Sequence, residues 1–133
     1  MKPKFKLFCL LIISLCFYNC STKQEKPEFV DNGKTVDSLK KAYNCENIDF
    51  ENWEDQKVTD SCLTVRLINS SKVPSAEYSN PNKENLPLKE IASAIKKSLV
   101  KPQNYKLFHV IFIEKVGDVE AYSLGEEIQS KNL

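Results

Sequence analysis

Glycine is nearly missing from this chain: three in 133 residues, at positions Gly33, Gly117 and Gly125. A loop that cradles phosphate through its backbone amides needs clustered glycines, so G-x-G-x-x-G and G-x-x-x-x-G-K motifs are excluded, as is the nucleophile elbow G-x-S-x-G. Histidine occurs once, at His109, which excludes paired-histidine metal motifs, and no carboxylate or cysteine stands at ligand spacing beside it. Basic residues barely outnumber acidic ones, 19 to 18, so no charge excess points to nucleic acid as a partner. No apolar stretch reaches the roughly 20 residues of a comfortable membrane span. No repeat at a solenoid period is present. No motif implies a cofactor.

What the chain does have is concentrated at its start. Lys2, Lys4 and Lys6 precede a run without charge from Leu7 to Tyr18, and a cysteine, Cys20, follows. A basic end, a short apolar core and a processing residue are the parts of a secretory signal. No small-x-small cleavage site lies near Cys20, and Cys16 is followed by Phe17 and Tyr18, which prolong the apolar core. Cys20 is therefore the better boundary.

The segment resembles the signal peptides of bacterial lipoproteins, with an atypical lipobox formed by Phe17, Tyr18, Asn19 and Cys20 and followed by polar residues 21–26. The resemblance implies removal of residues 1–19, lipidation of Cys20 by a diacylglyceryl group, and fatty acylation, as by palmitate, of its new amino terminus. It implies export and a tether to a cell membrane. Each buried methylene contributes about 0.8 kcal/mol, and more than one chain is needed for durable anchoring.

Removal of residues 1–19 leaves 114 residues, enough for one small domain. Three lysines leave with the leader, so the remainder holds 16 basic and 18 acidic side chains, a net charge of minus two. Of five cysteines, Cys9 and Cys16 also leave and Cys20 takes lipid, so Cys45 and Cys62 remain as candidates for a disulfide. One bridge and two separate buried thiols are both open readings.

Residues 20–34 are polar, contain Pro27 and Gly33, and read as a flexible linker before a single α+β domain at 35–127. Thr35 is expected to cap a short helix from Val36 to Asn44, with Val36, Leu39 and Tyr43 on one side. Alternation from Glu46 to Trp53 predicts a strand, Glu54 to Lys57 a turn, and Cys62 to Asn69 a second strand. Residues 70–85 read as a long loop. Pro87 opens the clearest helix, to about Val100, with Leu88, Ile91, Ala92, Ile95 and Leu99 as its apolar stripe. Tyr105 to Val116 is the strongest strand, apolar on both faces, and after a turn at Gly117 and Asp118 a further strand runs from Val119 to Leu124. The rest, Gly125 to Leu133 with its tail at 128–133, is expected to fray. This order predicts a two-layer α+β sandwich: a mixed sheet of about four strands, the long helix on one face, and the short helix or the linker shielding part of the other.

The acidic residues Asp49, Glu51, Glu54, Asp55 and Asp60 lack the spacing of a calcium loop and read as a solvated edge. Lys96, Lys97 and Lys101 suit the carbonyl end of a helix. His109 reads as a packing residue on an apolar strand face. The remaining candidate site is aromatic: Phe50 or Trp53, with Phe108, Phe112 and Tyr122, gathered on the sheet face away from the long helix, either as an open binding surface or as a second small core under the first helix and the linker. No catalytic residue and no metal site is singled out. The expected function is a lipid-anchored envelope module that binds a protein or small ligand. The runner-up is an accessory or inhibitory subunit of an envelope complex, with an unrecognised small enzyme third.

Overall fold

The structure, a computed structural model, describes residues 26–51, 62–75 and 86–133. Two helices, α1 (Lys34–Ala42) and α2 (Leu86–Ser98), accompany four strands: β1 (Asn47–Glu51), β2 (Cys62–Ile68), β3 (Leu107–Val116) and β4 (Val119–Gln129). The sheet order is β1-β2-β3-β4. The outer pairs β1–β2 and β3–β4 are antiparallel and the central pair β2–β3 is parallel. The mixed α+β arrangement expected from the sequence is the one found. The leader with Cys9, Cys16 and Cys20, the turn at residues 54–57, Trp53, and most of the predicted loop lie outside the described residues.

The period of two in the strands decides which side chains meet. Leu63, Val65 and Leu67 of β2 stand level with Phe108, Val110 and Phe112 of β3, and all six are buried. The α2 stripe Leu88, Ile91, Ala92, Ile95 and Leu99 closes over them, also buried. A large side chain taken fully out of water contributes roughly 1.5–3 kcal/mol, so this one layer carries most of the hydrophobic stabilisation.

The short helix takes the same side. Tyr43 meets Phe112 edge-on at 5.7 Å between ring centres, and Val36 and Leu39 pack on the same core. This corrects the expectation that the first helix or the linker shields the opposite face. Its cap differs too: the Asp31 carboxylate accepts from the backbone amides of Gly33 (2.9 Å) and Thr35 (2.8 Å), and the Thr35 hydroxyl donates to it as well (2.6 Å). The hydrogen bond from the Thr35 side chain holds the Asp31 carboxyl below its ordinary value. Capping from Asp31 satisfies amides that a helix start leaves bare.

Two further boundaries move. The end of the predicted linker is docked: Phe29 pairs with Leu99, the Val30 amide donates to the Ser98 carbonyl at 2.8 Å, and the Val100 amide donates to the Glu28 carbonyl at 2.9 Å. Phe29 also meets Phe50 with its ring tilted by 52°, 5.2 Å between centres. The carboxyl-terminal stretch does not fray from Gly125. It continues β4 to Gln129, because Ile128 is buried opposite Phe108 and the Ser130 amide donates to the Lys106 carbonyl at 2.8 Å.

Candidate functional site

Phe108 and Phe112 are 0 and 1 % exposed, beneath the helices, while Tyr122 is 63 % exposed on the opposite face. The predicted aromatic binding face is therefore not formed, and Trp53 lies outside the described residues. The reason is register. The turn at Gly117 and Asp118 sets Val116 opposite Val119, which places Tyr122 opposite Ile113, on the side away from Phe112. A bulge between Phe112 and Ile113 then shifts the pairing so that Leu124 and Ile128 turn inward.

Cys45 and Cys62 are free thiols. Cys45 precedes β1 beside the Ile68 end of β2, and Cys62 begins β2 at its other end. Six residues of strand separate the two levels, about 20 Å at the usual rise, far beyond disulfide reach. The bridge reading is corrected to two separate thiols, and burial pushes both upward in pKa.

On the face away from the helices, Thr64, His109 and Glu127 stand in one row across β2, β3 and β4, with Cys62 one step along. A hydroxyl, an imidazole, a carboxylate and a thiol are thus brought together. Their electrostatics work against nucleophile activation. Burial pushes the Cys62 thiol up, with the Thr64 hydroxyl and the His109 backbone amide opposing it and Glu127 adding to it. Burial also pushes His109 down, against the pull of Glu127. A protonated thiol beside a neutral imidazole is the reverse of a thiolate–imidazolium pair. No group of three His, Cys, Asp or Glu side chains that could hold a metal exists among the described residues.

Arg66 was not singled out from the sequence, although a lone arginine inside the apolar strand CLTVRLI was the available signal. Its guanidinium is buried on this face and donates to Glu120 at 2.6 Å, with the Lys115 ammonium 3.4 Å from the other carboxylate oxygen. The hydrogen bond from Arg66 holds the Glu120 carboxyl below the usual carboxylate range.

The remaining geometry is polar in the other sense: the domain has two distinct ends. At one, the chain coming from Cys20 reaches the fold at Lys26, beside Lys101, Asn104 and Tyr105. At the other, β3 runs past the end of β2, which stops level with Ile113, so residues 114–121 form a two-stranded projection. Ten residues of β3 separate these ends, about 30 Å. Val116 and Val119 at the tip are 72 and 71 % exposed, and Tyr122 lies just below.

Asn69 braces the base of the projection. Its backbone is left-handed, φ 50°, and its side chain behaves as an extra peptide unit. It accepts from the Lys115 amide at 2.7 Å and donates to the Lys115 carbonyl at 3.1 Å and to Glu46 at 2.6 Å. Nearby, the Ser70 hydroxyl donates to the Tyr43 carbonyl and Asn44 donates to the Ser71 hydroxyl, both at 2.6 Å. A shallow open groove lies between this loop and the hairpin, lined by Ser70, Val73, Phe112, Lys115 and Val116 among others. Compared with known proteins, the chain matches no family model, no curated protein and no solved structure.

Proposed function

We propose that this is an exported, lipid-anchored cell-envelope protein, acylated at Cys20, whose folded domain is a non-catalytic binding module for a partner in the envelope. The support for the anchor is the basic, apolar and cysteine-terminated leader. The support for binding is one observation: the two most exposed large apolar side chains of β3 and β4, Val116 and Val119, stand opposite each other at the tip of the projecting hairpin, at the end opposite the chain's path to Cys20, with Tyr122 just below on the other face. Adjacent exposed apolar side chains at the tip of a projection are candidates for a contact surface. Their place about 30 Å from the entry at Lys26 would hold them clear of headgroups.

Two measurements test the reading. Intact mass of the membrane-extracted protein should show loss of residues 1–19 and added acyl chains, and Cys20→Ser should release the domain or leave its precursor uncut. Capture of envelope proteins on the full chain should give a partner that V116D with V119D loses. Unchanged partitioning of the Cys20 variant would remove the anchor, and identical capture by the hairpin variant would remove the binding surface.

A further inference from the structure

We infer that the end of the domain where the chain enters is itself a docking surface for an anionic lipid bilayer, so that the domain stands upright on the membrane instead of swinging on its tether. The inference rests on the lipid-anchor reading for its biological setting, but its chemistry is read from the folded residues.

The entry end carries a set of lysines supplied by three separate segments. Lys26 and Lys101 are exposed and share a depression with Asn104 and Tyr105. Lys97 is exposed in the last turn of α2. Lys131 is exposed in the short 3-10 turn Ser130–Asn132. Lys96 holds these segments together: its ammonium donates to the Ser130 carbonyl at 2.6 Å and lies 3.5 Å from the Leu133 carbonyl. The clasp of residues 28–30 on Ser98, Leu99 and Val100 fixes Lys26 against the same helix end. Glu28 in the depression of Lys26 and Lys101, and Glu126 and Glu127 in a depression shared with Lys131, offset part of the positive charge.

Dipole complementarity accounts for Lys96 and Lys97 at a helix end, but it reaches only the last turn. It does not explain why Lys26 and Lys131, from the two ends of the described chain, converge on the same pole. A surface of negative headgroups does, because every one of these side chains would face it if the chain to Cys20 enters the bilayer there. Each lysine near an anionic surface favours the bound state by roughly fivefold, and the attraction decays within a Debye length, about 10 Å at 0.1 M salt. The hairpin end lies beyond that distance. A fatty tether combined with a basic patch is the two-signal form of membrane attachment.

Lysine footprinting on the full-length protein tests this. The protein extracted from membranes, its mass read first, is placed in phosphatidylcholine vesicles with or without phosphatidylglycerol and acetylated briefly. Lys26, Lys97, Lys101 and Lys131 should label at least roughly fivefold more slowly on the anionic vesicles, and the difference should vanish near 1 M salt, where the Debye length is about 3 Å. Lys72 and Lys115, at the hairpin end, should label equally on both. A variant carrying K97E and K101E, with an unchanged circular dichroism spectrum, should lose the protection of Lys26 and Lys131. Equal labelling of the four lysines on both vesicles overturns the inference even if Cys20 carries lipid. Protection on anionic vesicles in a protein whose mass shows no lipid upholds it while the acylation proposal fails.

Discussion

Gly125 sits where no other residue fits. A Cβ built there would lie 2.5 Å from the Ile111 side chain, 2.6 Å from the Tyr122 hydroxyl and 3.0 Å from the Val110 carbonyl oxygen. Tyr122 can swing away, but Ile111 is buried and the carbonyl belongs to the ladder. Gly125→Ala should therefore cost about 1–3 kcal/mol, the usual range for overpacking, read as a lower urea midpoint at unchanged m-value. Adding Ile111→Val should recover part of the loss; a neutral G125A would mean that β4 bends to admit the methyl group. Protonation offers a second test at this scale. His109 has its pKa lowered by burial, so the unfolded chain binds the proton more tightly than the fold does. Its contribution to stability is complete above about pH 6.5 and falls as pH drops through the lower folded value. Glu120, lowered by Arg66, adds a separate loss as pH falls below the ordinary carboxylate range. His109→Gln should flatten the first slope of stability against pH and leave the second, measured by denaturant unfolding at a series of pH values.

Among the elements, α2 is the one whose removal would cost most, since its stripe closes the main core. Ile95→Ala should destabilise by about 2–5 kcal/mol, whereas Lys97→Ala on its wet face should stay within about 0.5 kcal/mol; equal losses would mean the helix is not docked as described. Asn69→Ala removes three side-chain hydrogen bonds and a left-handed residue together, and should cost about 1–2 kcal/mol. Faster amide exchange at Lys115 should accompany it. The regular elements were legible because their apolar periods are unbroken. Leu88 to Leu99 repeats at three and four, and Phe108 to Ile113 alternates without a polar gap on the buried face. The second half of β4 was not legible, because Gly125-Glu126-Glu127 has the composition of a chain end; only the tertiary pairing of Ile128 with Phe108 keeps it in the sheet. The docking of Phe29 was hidden for the same reason: one aromatic residue in a polar stretch has no period to announce it. The aromatic site failed on register, which a two-residue turn fixes only once its partners are counted outward from Val116 and Val119.

At the scale of the whole molecule, stability comes from one main core and a small second cluster of Ile68, Ile111 and Ile113 on the other side of the sheet, without covalent cross-links among the described residues. Reduction with dithiothreitol should leave the thermal midpoint unchanged, and a drop of several degrees would require a bridge absent from this fold. The two-ended arrangement was the least legible property of all. It depends on the parallel pairing of β2 with β3, on the hairpin outrunning its neighbour, and on where residues 28–30 attach, none of which is a property of a single segment. That attachment also has a mechanical meaning. A pull arriving through the chain at Lys26 does not reach a strand's backbone first; it meets two backbone hydrogen bonds to the end of α2 and one tilted ring contact with Phe50 of β1. Peeling residues 27–30 would lengthen the leash by about 14 Å while every strand stayed paired, so the clasp would act as a weak fuse that yields under drag and spares the fold behind it.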